Sequence, residues 1–139
     1  ALTGLAAVQR LPGLLELAVV NVREARDLSL LEPLEQLELL GICGSLWSKQ
    51  VIDDLWPLTR LTRLQSLSIF STRILRGGLQ PVYQLKNLGA LGCDLQFAGE
   101  FRALRAALPR LRYGTPIDYP EPMTRAELVA RVTRTSRQP

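Results

Sequence analysis

Histidine is absent from the 139 residues. That removes Ser-His-Asp and Cys-His nucleophilic catalysis, the usual zinc-activated water and the commonest general base in one step. Aromatic residues make up only 6% of the chain, so the core it builds must be aliphatic. No apolar run approaches the roughly 18 residues that a helical membrane span requires. Lysine is nearly missing, with 2 against 15 arginines. An excess of positive charge is also missing from most of the chain. Residues 1–98 carry nine basic and nine acidic side chains, whereas residues 99–139 carry eight arginines against Glu100, Asp118, Glu121 and Glu127. The net charge of +4 therefore belongs to the C-terminal part, unlike the even basic surface of a nucleic-acid domain. These gaps leave no constellation for hydrolysis or group transfer and no expected cofactor or metal. A non-enzymatic protein of single-domain size is the expectation.

What the chain has instead is leucine, at 29 positions. They recur in a register. LPGLLELAVVNV carries Leu11, Leu14, Leu17, Val19 and Val22, and LEPLEQLELLGI repeats the spacing with Leu31, Leu34, Leu37, Leu39 and Ile42. LTRLQSLSIFST gives Leu61, Leu64, Leu67, Ile69 and Thr72, and LKNLGALGCDLQ gives Leu85, Leu88, Leu91, Cys93 and Gln96. A fifth copy starts at Leu108 and Leu111 and breaks down at Gly114 and Pro116. Steps of three place side chains on one side of a turn, and the closing step of two is strand periodicity. Each copy thus reads as a turn feeding a short strand. One such unit cannot bury its apolar face, whereas stacked units share a core.

The pattern LxxLxxLxLxx resembles the leucine-rich-repeat family, and RDLSLLEPL at residues 26–34 is similar to a segment of its bacterial members. The resemblance covers about residues 1–113. It implies an α/β solenoid with a short parallel sheet on the concave face, helices and 3-10 turns on the convex face, and recognition of another protein as the role. The family's buried Asn or Cys after the strand is replaced by Val22, Ile42, Thr72 and Gln96, so less regular turns are expected.

The remaining segments fill the convex side. Val51, Leu55 and Leu58 recur at helical spacing around Pro57, and Phe101, Leu104 and Leu108 do so with Arg102 and Arg105 outward and Pro109 as the stop. The shortest copy has room for a 3-10 turn only. Residues 2–11 read as the convex half of a repeat without its strand. Residues 114–139 form a second region: a proline-rich connector, then a helical cap opened by a Thr124–Glu127 capping box and a Met123–Leu128 staple.

Alternation along the strands predicts the concave binding face. Its residues are Glu16, Val20, Gln36, Glu38, Leu40, Ser68, Phe70 and Asp94, with Val20, Leu40 and Phe70 in one apolar column. Glu16 and Glu38 beside it favour a partner with basic residues. The first strand presents an edge that invites self-association or an attached domain, as in the sensor region of a larger signalling protein. A stand-alone inhibitor or immunity-type protein is the alternative, and binding of nucleic acid through Arg125, Arg131, Arg134 and Arg137 is disfavoured for lack of interleaved aromatics. Cys43 and Cys93 lie two repeats apart, about 10 Å at ordinary strand spacing, beyond the reach of a disulfide. Free thiols favour a reducing, cytoplasmic setting. Asp53 and Asp54 read as a solvated helix face, and GICG at 41–44 lacks the frame of a phosphate loop.

Overall fold

The steps of three in the leucine register are hydrogen-bonded turns. In the computed structural model, which describes residues 4–114, 116, 124–127 and 129–130, the first two leucines of each of four copies donate their amides to the carbonyl three residues back. Leu11 bonds Val8 and Leu14 bonds Leu11; Leu34 and Leu37, Leu61 and Leu64, Leu85 and Leu88 repeat the pair. Bonds of this kind hold side chains three apart on one side of the chain. Two successive amides then converge on one carbonyl of the preceding copy. Glu38 and Leu39 meet Leu15, Gln65 and Ser66 meet Glu38, Gly89 and Ala90 meet Gln65, and Arg112 and Tyr113 meet Gly89. Every copy passes from turn to strand at the same point.

The strands that follow are β1 (Glu16–Val20), β2 (Leu39–Cys43), β3 (Gln50–Ile52), β4 (Ser66–Ile69), β5 (Thr72–Ile74) and β6 (Ala90–Cys93). β1, β2, β4 and β6 form one parallel sheet in that order, and β3 pairs with β5 in a second, two-stranded parallel sheet. Leu17, Leu40, Leu67 and Leu91 stand side by side across the larger sheet, with Val19 beside Ile42 and Ile69 beside Cys93 on the same, inward side. Opposite the strands run 3-10 turns at Gly4–Arg10, Arg23–Arg26, Leu28–Leu31, Trp56–Arg60, Gln80–Gln84 and Leu95–Phe97, the last leading into helix α1 (Ala98–Ala107). Between the layers lies a seam of leucines. Leu34, Leu61, Leu85 and Leu108, and Leu37, Leu64, Leu88 and Leu111, are all buried. Each buried leucine contributes about 1.5–3 kcal/mol relative to an exposed one.

The second copy departs from the sequence reading. Leu37 and Leu39 were expected as the inward pair, with Leu40 outward; instead Leu40 and Ile42 are fully buried and Leu39 is 43% exposed. Both frames satisfy the pattern, because leucine occupies positions 31, 34, 37, 39 and 40. The neighbours decide: Leu40 pairs with Leu17 on one side and Leu67 on the other. Leu31 is buried from the preceding 3-10 turn instead. The copies therefore begin at Leu11, Leu34, Leu61, Leu85 and Leu108.

The longest copy holds no helix around Pro57. Val51 lies in β3, and Leu55 and Leu58 belong to a 3-10 turn with proline in its first positions. The extra residues are used by strand pairing, through Gln50 N–H to Ser71 and Leu75 N–H to Ile52. Asp53 and Asp54 accordingly sit after a strand and not on a helix face. They pair with Arg26 at 2.7 Å and Arg76 at 3.2 Å, tying neighbouring copies. The helix over Phe101 and Leu104 forms as expected, with Arg102 and Arg105 exposed and its end just before Pro109.

The turns are irregular, as the missing asparagine implies. Those after β1 and β4 pass through left-handed residues, Asn21 (φ 48°) and Ser71 (φ 51°). Two unforeseen side chains satisfy the backbone. Gln50, 3% exposed, accepts from Val22 N–H at 2.9 Å and donates to the Val22 and Val51 carbonyls. Thr72 donates its hydroxyl to the Ile69 carbonyl at 3.1 Å.

At the C-terminus the capping box is present, with Thr124 N–H on Glu127 Oε2 at 2.7 Å and Glu127 N–H on Thr124 Oγ1 at 3.2 Å. The Met123–Leu128 staple, the 117–123 connector, and Arg131, Arg134 and Arg137 lie outside the described residues. No helix among the described residues is long and apolar enough to cross a membrane.

Candidate functional site

Because strand side chains alternate, the face of the larger sheet turned away from the core is built in three rows. The first is Glu16, Leu39, Ser66 and Ala90, extended by Tyr113 of the fifth copy, which bridges to Ala90. The second is Ala18, Gly41, Ser68 and Gly92. The third begins with Val20 beside Cys43, and Phe70 and Asp94 follow at the ends of β4 and β6. No side chain in the middle row is larger than serine, so a shallow trough crosses the strands. A Cβ on Gly41 would meet only Ala18, at 4.0 Å. At Gly92 the space is filled: a Cβ there would lie 2.5 Å from Phe70 Cζ. The Phe70 ring is laid down over the neighbouring strand.

Three of the expected residues, Glu16, Val20 and Ser68, do share this face. Val20 is 56% exposed. Phe70 lies on it half-buried, as a wall of the trough rather than a free anchor. Leu40 is inward, so the expected Val20–Leu40–Phe70 column does not exist and Cys43 stands in its place. Asp94 is buried, and both its carboxylate oxygens accept from Ser71 N–H at 3.1 Å. It holds a left-handed turn and presents no acid to a partner. Gln36 and Glu38 precede β2, in the turn; Gln36 accepts from Arg63 Nη1 at 2.6 Å.

Residues that alternation missed complete the face. Leu39 is exposed through the change of frame, and Tyr113 is 71% exposed. The signal for Tyr113 was its spacing: it follows Leu111 as Ala90 follows Leu88 and Ser66 follows Leu64. Beside it lies a depression of about 710 Å³ bordered by Glu38, Arg63, Ser66, Asn87, Arg110 and Tyr113. Gln36, Arg63, Asn87 and Arg110 occupy the same slot of successive copies and pair two by two, Arg63 on Gln36 and Arg110 on Asn87. These bonds orient two guanidinium groups along the rim. Tyrosine and arginine are the side chains most enriched where partner proteins gain their binding energy.

No family model matches the chain, and no curated protein matches it.

The remaining candidates for chemistry separate in space. GICG spans the end of β2 and leads into the loop before β3. Cys43 and Cys93 are free, on strands separated by β4, one half-buried and one buried. Burial first, then the nearby Asp94 and Glu100 carboxylates, push the Cys93 thiol up to about 11. We expect iodoacetamide to modify Cys43 in the native protein at neutral pH, with Cys93 reacting only on unfolding. Mass spectrometry of labelled peptides reads the difference, and native labelling of Cys93 would contradict its place in the core. An unfolded cysteine titrates nearer 9, so the contribution of the buried neutral thiol is complete below that pH and is lost as pH climbs through about 11.

Proposed function

We propose that the chain is a short leucine-rich-repeat solenoid that acts without catalysis, binding another protein across the outer, concave face of its four-stranded sheet. The recurrence of turn, strand start and inward leucines in successive copies supports the solenoid reading. The observation that carries the binding role is the trough of Ala18, Gly41 and Ser68, closed at Gly92 by the Phe70 ring, with Leu39 and Tyr113 along one side and Val20 along the other. Small residues let a partner approach the strands closely while larger apolar ones anchor it. Arg63 and Arg110 at the rim favour acidic groups near the Tyr113 end, and Glu16 favours basic ones at the other. Two free cysteines fit a reducing compartment.

The test is affinity capture with the intact chain, wild type against a Leu39→Asp, Tyr113→Ala double variant. Both replaced side chains are exposed, so melting temperature is expected to stay within the range of surface substitutions. A protein retained by wild type at high salt and lost by the variant supports the proposal. Equal retention by both ends it. Captured nucleic acid that releases steeply with salt points instead to phosphate contacts by the arginines.

A further inference from the structure

The two ends of the sheet are finished differently. At β6 the chain supplies its own fifth copy, with Leu108 at 1% and Leu111 at 3% exposure and Arg112 and Tyr113 amides on Gly89. At β1 the turn layer is closed by the 3-10 segment Gly4–Arg10, where Gln9 donates to the Leu30 carbonyl and Val8 packs on the core. The strand layer is not closed by any described residue. Leu11, whose counterparts Leu34 and Leu61 are 0% exposed, is 54% exposed, and Leu15 is 49% exposed. Leu14, Leu17 and Val22 are half-buried. Among the described residues, no strand pairs with the free side of β1.

The backbone fixes which groups face that side. Leu15 accepts from β2 residues and Asn21 donates to Cys43, so the odd-numbered residues of this stretch turn their amides and carbonyls toward β2. Glu16, Ala18 and Val20, between them, point theirs outward. An edge of this kind pairs readily with another strand.

We propose that β1 is a dimer edge, paired antiparallel with β1 of a second copy about a two-fold axis through Ala18, joining two sheets into one. This register engages all three outward-facing residues of both chains. It sets Glu16 opposite the partner copy's Val20, so the two Glu16 carboxylates stay apart, whereas centring on Glu16 would place them face to face. On the core side it sets Leu17 opposite Val19 and Leu14 opposite Val22, so the half-buried Leu14, Leu17 and Val22 each face an apolar side chain of the other copy. A two-fold pairing also closes on itself, as most soluble oligomers do. Head-to-tail stacking would instead need the fifth copy as an edge, and there pairing stops at the single Ala90–Tyr113 bridge. The outer faces of the two copies become continuous.

Sedimentation equilibrium of the intact chain over a concentration series tests this, with hydrogen exchange of the Glu16, Ala18 and Val20 amides at both ends of the series. Wild type is expected to dimerise, and these amides to slow as dimer forms. Ala18→Pro removes the donor nearest the axis at an edge position where proline is tolerated. It is expected to weaken the dimer roughly tenfold or more without loss of the monomer fold. Val20→Lys, which leaves the backbone unaltered, is expected to weaken it similarly. A wild-type chain monomeric into the millimolar range overturns the proposal. So does a dimer that neither variant disturbs. Protection of the three amides in dilute monomer overturns it too, since the chain would then cover the edge with its own segment.

Discussion

Replacing Leu40 with alanine is expected to lower the unfolding free energy by about 2–5 kcal/mol, the range for a buried leucine whose cavity does not collapse. Leu39→Ala, one residue away, is expected to stay within about 0.5 kcal/mol, like other surface substitutions. Urea denaturation of the two variants reads the difference directly. Leu40 is fully buried between Leu17 and Leu67, whereas the Leu39 side chain leaves the sheet on the opposite face. A large loss for Leu39→Ala with a small one for Leu40→Ala would restore the frame in which Leu37 and Leu39 form the inward pair. It would also move Leu39 off the candidate binding face.

The second large effect is expected at Gly44. A Cβ there would lie 2.3 Å from the Ser71 carbonyl oxygen and 2.6 Å from that of Ser48, both backbone atoms that no rotamer change can move. Gly44 also donates its amide to the Phe70 carbonyl, and Gln50 donates to that of Ser71. Relieving the clash therefore means loosening the junction between the two sheets. Gly44→Ala is expected to cost about 3 kcal/mol or more, at the upper end of overpacking effects. Gly13→Ala is the control, because a Cβ at Gly13 meets nothing within 4 Å. Equal stabilities for the two variants would mean that the β2–β3 loop does not cross the Ser71 turn at this distance.

The parts of the fold that were legible are those governed by local spacing. The steps from Leu61 to Leu64 to Leu67, and from Leu85 to Leu88 to Leu91, require a turn and a strand wherever they occur. Pro109 stops α1, and Thr124 with Glu127 caps the C-terminal turn. The outer face of the larger sheet was legible only where the frame was unique. Glu16, Val20 and Ser68 were placed correctly because one reading of their strands exists. Leu40 was misplaced because LEPLEQLELL admits two frames that satisfy the local pattern equally. Asp94 looked like an outward acid by alternation, yet the turn at Ser71 has an amide to satisfy and Asp94 is the acceptor within reach. Phe70 looked like an anchor, but Gly92 on the next strand leaves it room to lie flat.

Composition and spacing alone determined the largely aliphatic core, the repeated turn-and-strand unit and the lack of histidine, since each depends on residue type or on neighbours a few positions away. The tertiary structure decided the frame of the second copy, the second sheet of β3 and β5, the roles of Gln50 and Asp94, and the contrast between a β6 edge covered by the fifth copy and a β1 edge that no described strand pairs. Those outcomes depend on which strand lies beside which. Pairing across more than twenty residues of chain is settled by the hydrogen bonds and apolar area of the whole stack, which no single repeat contains.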